Sequence, residues 1–285
     1  MPGDYVHELF GKNIWGSEGL GQPVLGTRET IGAFTRADLA EHIEKFYGNN
    51  NVVVACSGNF TESQITDCLN KNIGEIGRKY SAGTMQRPVF RDNVEIIQKD
   101  LSESHICLGL KGMPYSSVDR YAMYLLNTIL GSGFSSRLFQ EIREKRGLVY
   151  SIYSYHSSYA DAGVWSVYAG TDRKHVSEVI NITVDEISGL ETSVTAEELA
   201  RAKAQLKGNL ILALESTSNK MTNMAKQELY YGRYYSPDDI IAMVDAVTLE
   251  ELKGLAGRLV GDNQFALTVY GSVSEKELKG SCKLL

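Results

Sequence analysis

Two stretches of the chain, residues 35–59 and 248–272, repeat one pattern in the same order and without a gap. Each begins with a threonine that can cap a helix, continues through an apolar helical face and a turn, and ends as an apolar strand before a glycine. Leu39 corresponds to Leu252 and Gly58 to Gly271 at one constant separation. The pattern predicts two domains of one kind. The alternative is that the stretches share only a helix, turn and strand, a unit that recurs in unrelated folds.

The repeat also predicts where the domains begin and end. The second copy begins near Asn93, after residues 81–88, whose composition is typical of a linker. Counting back by the same separation places the start of the first copy before Met1. We therefore expect a carboxyl-terminal remnant of a first domain in residues 1–80, a linker in residues 81–93, and a complete second domain in residues 94–285.

Hydrophobic periodicity outlines the second domain. The predicted strands are 94–99, 104–111, 149–159 and 164–171, the last two joined as a hairpin, and the predicted helices are 119–130, 176–190, 195–214, 220–230 and 249–260. Paired strands and blocks of helices are typical of an α+β fold in which helices pack on a mostly antiparallel sheet. Tyr153, Tyr155 and Tyr159 share one strand face, where packing is favoured over stacking on a peptide.

The segment from Gly131 to Tyr150 combines a glycine turn, a helix and the start of a strand. Gly131 and Gly133 allow the backbone to come close to a ligand. Ser135 or Ser136 can cap the helix that follows. Gly147, after two basic residues in the last turn, is typical of the end of a helix.

Arg143 and Tyr150 therefore lie on either side of a sharp helix-to-strand turn. A guanidinium and a phenol that both donate to one oxygen would serve oxyanion or carbonyl chemistry. The alternative is structural, with Arg143 interacting with the helix dipole and Tyr150 acting as a half-buried strand aromatic. The spacing alone leaves both interpretations open.

The motif Leu138–Tyr150 closely resembles the second domain of the insulinase-like zinc peptidases, in the bacterial branch of the mitochondrial-processing-peptidase type. The resemblance covers nearly the whole chain. One departure from the family pattern is Glu18-Gly19, which stands where the family usually has His-Pro. Further matching segments are 151–155, 161–163, 4–10 and 21–27.

The resemblance implies roles for the segment singled out above. Arg143 would help to hold a peptide substrate, and Tyr150 would stabilise the tetrahedral intermediate. The glycine turn near the substrate entrance would consist of Gly131, Ser132, Gly133, Phe134, Ser135, Ser136 and Arg137. In the family two such chains enclose a chamber, which implies a homodimer or a paired subunit.

Two other functions remain open. One is a non-catalytic partner or scaffold subunit of the same fold. The other is nucleotide binding through Gly131-Ser132-Gly133, although neither a phosphate-loop Lys-Ser/Thr nor the full dinucleotide motif follows these residues.

The family's zinc motif, His-x-x-Glu-His, does not occur in the sequence. Asp38, Glu41 and His42 have its spacing with Asp in the first position, but Leu39 and Phe46 on the same helix favour a surface helix with an apolar stripe. We therefore expect no metal site in this chain. Zinc, its ligands and the catalytic glutamate are expected on a preceding segment of a full-length parent, so that this chain alone is inactive.

Composition excludes several classes of partner. The chain has 285 residues, a net charge of −6, 43% hydrophobic and 22% charged residues, which is typical of a globular protein and unfavourable for nucleic-acid binding. No apolar run is long enough to span a membrane. The four cysteines are widely spaced, which favours reduced thiols in a cytoplasmic protein. The resemblance to the bacterial branch implies that this cytoplasm is bacterial.

Overall fold

The structure is a computed structural model that describes residues 1–48, 50–73, 80, 83, 86–261 and 264–285. Its contacts divide the chain into two compact units. The first unit comprises residues 1–23, 87–208 and 238–285, and the second comprises residues 24–86 and 209–237.

The first unit is built on one five-stranded sheet. Its strands are β1 (Val94–Gln98), β2 (Ser104–Lys111), β3 (Val149–Ser158), β4 (Gly163–Thr171) and β5 (Ala266–Gly271). Their order across the sheet is β1-β5-β2-β4-β3, with β1 parallel to β5 and every other pair antiparallel. The predicted mostly antiparallel α+β fold is confirmed.

Helices account for most of the remaining regular structure. They are α1 (Pro2–Trp15), α2 (Arg28–Ala33), α3 (Arg36–Phe46), α4 (Glu62–Asn72), α5 (Arg120–Gly131), α6 (Val176–Ser193), α7 (Ala196–Ala213), α8 (Thr217–Tyr231), α9 (Pro237–Ala246), α10 (Leu249–Gly261) and α11 (Glu275–Leu278). Short 3₁₀ turns span Gly19–Gly21 and Arg173–His175, and a π-helical turn spans Phe139–Glu144. The helices and strands predicted for the second domain all form. None of the described helices is both long and apolar enough to cross a membrane.

Helices cover both faces of the sheet. α5, α6 and α10 bury one face in the main core, where Leu108, Leu126 and Ile180 are almost inaccessible to solvent. α1 buries the opposite face, because Val6, Phe10 and Ile14 recur at helical spacing and pack against the sheet. The tyrosine-rich face of β3 lies on this second side, which confirms that Tyr155 and Tyr159 pack.

α1 belongs to the same unit as the sheet, whereas the sequence analysis assigned residues 1–80 to a separate domain. The helix is held by polar contacts as well as by its apolar face. The buried Asn13 Nδ2 donates to the Leu267 carbonyl at 3.0 Å and to Thr268 Oγ1 at 3.0 Å. Residues 81, 82, 84 and 85 of the predicted linker lie outside the described residues.

The second unit contains the capped helix of the first repeat copy. Thr35 caps the start of α3, as the sequence predicts, and it forms a reciprocal capping box with Asp38. The strand predicted after it is wrong, because residues 51–57 form no strand. Every strand among the described residues belongs to the sheet of the first unit, so Val52, Val53 and Val54 have no ladder to join and are exposed.

Candidate functional site

The glycine turn begins where α5 meets β3. Gly131 is the last residue of α5 and is buried. A Cβ atom built on it would lie 2.6 Å from Ser154 Oγ and 2.7 Å from Ser154 Cβ, so only glycine fits without a shift. This residue therefore allows the helix to approach the strand closely.

Hydrogen bonds hold the backbone of the turn from several sides. Gln205 Nε2 donates to the Ser132 carbonyl at 3.0 Å, and Gln140 Nε2 donates to the Phe134 carbonyl at 2.7 Å. Ser136 Oγ donates to the Gly133 carbonyl at 2.7 Å, in a turn where Gly133 has a φ of 99°. The Ser136 hydroxyl is thus engaged with the turn and makes no cap of the kind predicted.

The Arg137 side chain links the turn to the junction of α6 and α7. Its Nε and Nη2 atoms donate to the two carboxylate oxygens of Glu198 at 2.7 and 2.8 Å, and Nη1 donates to Ser193 Oγ at 2.7 Å. The side chain is only 17% exposed. Burial raises the pKa of Glu198, but the hydrogen bonds from Arg137 and Thr195 and the charge of Arg137 together outweigh this and leave that pKa below its usual range. Arg137 is therefore fixed within the protein.

Arg143 lies in the π-helical turn. Its guanidinium sits over the Phe139 ring, with Cζ 5.0 Å from the ring centroid. The π-helical turn ends at Glu144. The chain turns, as predicted, at Gly147, whose φ is 61° and whose N–H donates to the Arg143 carbonyl at 3.1 Å. Leu148 N donates to the Ile142 carbonyl, which closes the turn into β3.

Tyr150 lies at an irregularity of β3. Val149 pairs with Thr171 and Ser151 with Gly170, so Tyr150 is the extra residue of a β-bulge. Its side chain is 60% exposed. Arg143 and Tyr150 thus occupy the two sides of the turn and are both exposed, and within the described residues neither side chain makes a hydrogen bond or ion pair. Whether they bind one substrate group stays a prediction.

A polar cluster that the sequence patterns did not predict lies on the face of the sheet under α1. His7 Nδ1 is 2.9 Å from the Tyr155 hydroxyl, and His7 Nε2 is 3.2 Å from the Tyr153 hydroxyl. Burial lowers the pKa of His7 and raises that of the nearby Cys107 thiol. The spacing of His7 with Phe10 on the apolar side of α1 was the signal that could have revealed it.

The described residues do not fit a zinc site. Zinc needs three or four His, Cys, Asp or Glu ligands, and no group of three such side chains in the described ranges is close enough to hold a metal ion. In the segment with zinc-motif spacing, Asp38 Oδ2 already accepts from the Thr35 N–H and hydroxyl, both at 2.7 Å. The His42 ring packs on Phe46 at 4.6 Å.

Comparison with known proteins decides the family. Residues 33–206, more than half of the chain, match the family described as the peptidase M16 inactive domain. The chain belongs to the peptidase M16 family. This confirms the resemblance carried by Leu138–Tyr150.

Relatives in this family are named as zinc proteases. The chain is 38% identical over 259 residues to the uncharacterized zinc protease YmxG of Bacillus subtilis, covering 90% of this chain and 63% of that protein. It is 36% identical over 292 residues to an uncharacterized zinc protease of Streptomyces coelicolor, covering 97% of this chain and 62% of that protein. The chain thus spans less than two thirds of the length of these relatives.

Solved structures of the family share the fold. A peptidase M16 inactive domain from Pseudomonas fluorescens superposes with a TM-score of 0.85 at 22% identity, covering 96% of this chain and 66% of that one. A chain of complex III2 from Candida albicans superposes with a TM-score of 0.84 at 24% identity, covering 97% and 68%. These similarities establish the M16 fold for this chain.

Proposed function

We propose that this chain is the carboxyl-terminal portion of a zinc-dependent endopeptidase that cleaves peptides or unfolded segments, and that it binds the substrate and stabilises the transition state. One observation carries the proposal. Arg143 and Tyr150 are exposed donors on the two sides of one ordered turn, and neither has a polar partner among the described residues. Donors left free in this way are available to a ligand.

The two donors suit different stages of peptide cleavage. The Arg143 guanidinium stays charged and offers several N–H groups, so it can hold a substrate carbonyl before reaction. The Tyr150 hydroxyl donates one hydrogen bond, which gains strength as negative charge develops on the carbonyl oxygen. Tyr150 therefore acts mainly on the transition state.

The glycine turn supplies the adjoining part of the substrate path. Its backbone carbonyls accept hydrogen bonds from side chains, with Gln205 donating to Ser132, Ser136 to Gly133 and Gln140 to Phe134. Gly131, Ser136 and Arg137 are positioning residues, because they are engaged within the protein. Phe134 and Ser135 are exposed and can touch a peptide.

The zinc of the proposed enzyme belongs to the portion that the longer relatives have and this chain does not cover. The relatives are named zinc proteases, while the described residues do not fit a metal site. When bound there, zinc would supply the activated water. A second subunit, identical or paired, is proposed to complete the chamber, and this chain alone is proposed to be inactive.

The test uses the full-length parent protein and a fluorogenic peptide. Tyr150→Phe should lower kcat by about 10² to 10³ with little change in KM, because the lost donor acts on the transition state. Arg143→Ala should also raise KM. Tyr234→Phe, which removes a hydroxyl from a similarly exposed tyrosine (58%), is the matched control and should be neutral.

Equal kcat values for the Tyr150→Phe and Tyr234→Phe proteins would refute the assigned role of Tyr150.

Mixing two inactive variants of the full-length protein tests the paired arrangement of subunits. One variant is inactivated at its zinc motif and the other carries Tyr150→Phe. Their heterodimer should regain activity at one of its two sites. Proven heterodimers without activity would contradict the paired arrangement.

A non-catalytic scaffold of the same fold is the second candidate. The match to an inactive-domain family and the lack of fit to zinc within the described residues favour it. Zinc analysis of the full-length protein separates the two candidates, since a scaffold that binds no zinc would hydrolyse no peptide.

A further inference from the structure

Strand β1 lies at one end of the sheet of the first unit, with β5 pairing along one of its sides. The Asn93 carbonyl accepts a hydrogen bond from β5 at 3.0 Å, and the Lys99 N–H donates one to β5 at 2.8 Å. Backbone groups of alternate residues in a strand point to the same side. Val94, Ile96 and Gln98 therefore present their N–H and C=O groups to the other side, which we name the open edge.

The two ends of the sheet differ in how they are protected from further pairing. At the far end, β3 carries the β-bulge at Tyr150, a device that turns an edge strand away from other strands. In contrast, β1 keeps an uninterrupted register with β5, contains no proline and has five residues, an ordinary length for a strand. An edge of this kind is a template for one more strand.

The side chains beside the open edge carry a pattern of charge. Glu95, Ile97 and Lys99 alternate along the chain and so lie on one face of the sheet. Within the described residues neither Glu95 nor Lys99 forms an ion pair. Ile97 lies beside Tyr270, whose ring packs edge-to-face on Tyr5 at 5.7 Å, and Tyr5 is 48% exposed. The order along this face is acid, apolar residue, base.

This order is complementary to itself when it is read in the opposite direction. In an antiparallel pair of edges centred on Ile97, Glu95 lies opposite the partner's Lys99, and Lys99 lies opposite the partner's Glu95. Ile96 and Gln98, which face the open edge, then lie opposite the partner's Gln98 and the partner's Ile96, and can exchange backbone hydrogen bonds with them. A shift by two residues in either direction separates both charge pairs.

We propose that the open edge of β1 pairs antiparallel with the open edge of a second copy of this chain, across a two-fold axis at Ile97, so that the two sheets become continuous. The contact is isologous, since each copy contributes the same surface. It does not rest on the proposed function, because it uses no residue assigned to peptide cleavage.

Sedimentation velocity over a series of chain concentrations is the first measurement. One pair of strands makes a small interface, so a weak dimer should form as the concentration rises. Glu95→Lys sets like charges opposite each other at two symmetric positions and should weaken dimerisation about tenfold. Glu250→Lys makes the same change of net charge on α10, which covers the main core, and is the matched control that should leave dimerisation unchanged.

Charge exchange tests the register. Lys99→Glu alone should weaken dimerisation as Glu95→Lys does. A mixture of the two single variants restores opposite charges at both positions of a heterodimer, so it should associate more strongly than either variant alone. In the native chain, the amide hydrogens of Ile96 and Gln98 should exchange more slowly at high than at low concentration.

Three results would overturn the proposal. The first is a native chain that stays monomeric over the whole concentration series. The second is a dimer that Glu95→Lys weakens no more than Glu250→Lys does, which would assign the contact to another surface. The third is a mixture of the two single variants that does not associate although both keep the native fluorescence of the buried Trp15 and Trp165.

Discussion

Gly131→Ala tests whether this glycine serves packing or substrate entry. A Cβ atom at this position would come within 2.6 Å of Ser154 Oγ and 2.7 Å of Ser154 Cβ, and closer still to the Ser154 backbone nitrogen. Ser154 Oγ donates to the Asn127 carbonyl at 3.1 Å, so its side chain is held in place. The contact can be relieved only if α5 and β3 move apart.

The size of the effect follows from two opposing terms. Alanine is favoured over glycine in a helix by up to about 1 kcal/mol. Forcing an extra carbon into a packed contact costs about 1 to 3 kcal/mol, and a contact with backbone belongs at the upper end. We expect a net loss of about 2 kcal/mol in the free energy of unfolding, or about 4 to 8 °C in Tm for a domain of this size.

Gly11→Ala is the matched control. Gly11 lies inside α1, and a Cβ atom built on it would meet no heavy atom within 4 Å. The same substitution should therefore stabilise the first unit by up to about 1 kcal/mol. The two glycines differ in their surroundings and not in the chemistry of the change.

Tryptophan fluorescence during urea unfolding is the measurement. The two tryptophans of the chain, Trp15 and Trp165, are both buried in the first unit, so the signal reports on that unit. A Gly131→Ala protein as stable as the native chain, or one stabilised like Gly11→Ala, would refute the packing role. Gly131 would then be better explained by substrate entry.

Two further predictions use the same signal. Burial lowers the pKa of His156 to about 4, below its usual 6.5. As pH decreases, the unfolded state therefore binds a proton at this position before the folded state does. The free energy of unfolding should fall by about 3 kcal/mol between pH 6.5 and pH 4. His156→Gln keeps an acceptor for the Met113 N–H and should flatten this fall, whereas parallel pH curves for both proteins would contradict it. Arg137→Ala should cost about 2 kcal/mol, since it removes two charged hydrogen bonds to Glu198, and Arg137→Lys should recover only part because it lacks the planar fork. Equal urea midpoints for Arg137→Ala and the native chain would show that the turn is not held this way.

Local sequence signals predicted much of the sheet-bearing unit. The turn from Arg143 to Tyr150 forms as expected, because Gly147 has the positive φ that turns the chain after the helix, and β3 begins two residues later. Thr195 and Glu198 form a capping box that opens α7, the helix predicted over 195–214. Such signals act over a few residues, so they can be predicted without knowledge of the rest of the fold.

Contacts between distant segments could not be predicted in the same way. Glu198 caps the start of α7 across three positions, but its pairing with Arg137 spans 61 positions. The valines of residues 52–54 have strong strand propensity and still form no strand, because a strand needs a neighbour for its backbone hydrogen bonds. Strand propensity shows that a segment can form a strand, but the presence of an adjacent strand decides whether it does.

The sequence by itself determined the family, the α+β class and the segment that carries Arg143 and Tyr150, since these depend on motifs and periodicity. Only the tertiary structure decided that α1 covers the second face of the sheet, that Gly131 and Arg137 are engaged in packing and ion pairing, and that Phe134 stands exposed beside Phe139. The physical reason is the difference in sequence separation between the interacting residues. Caps, turns and helical faces are set by neighbours in sequence, whereas burial and unpaired charge are properties of the whole packed chain.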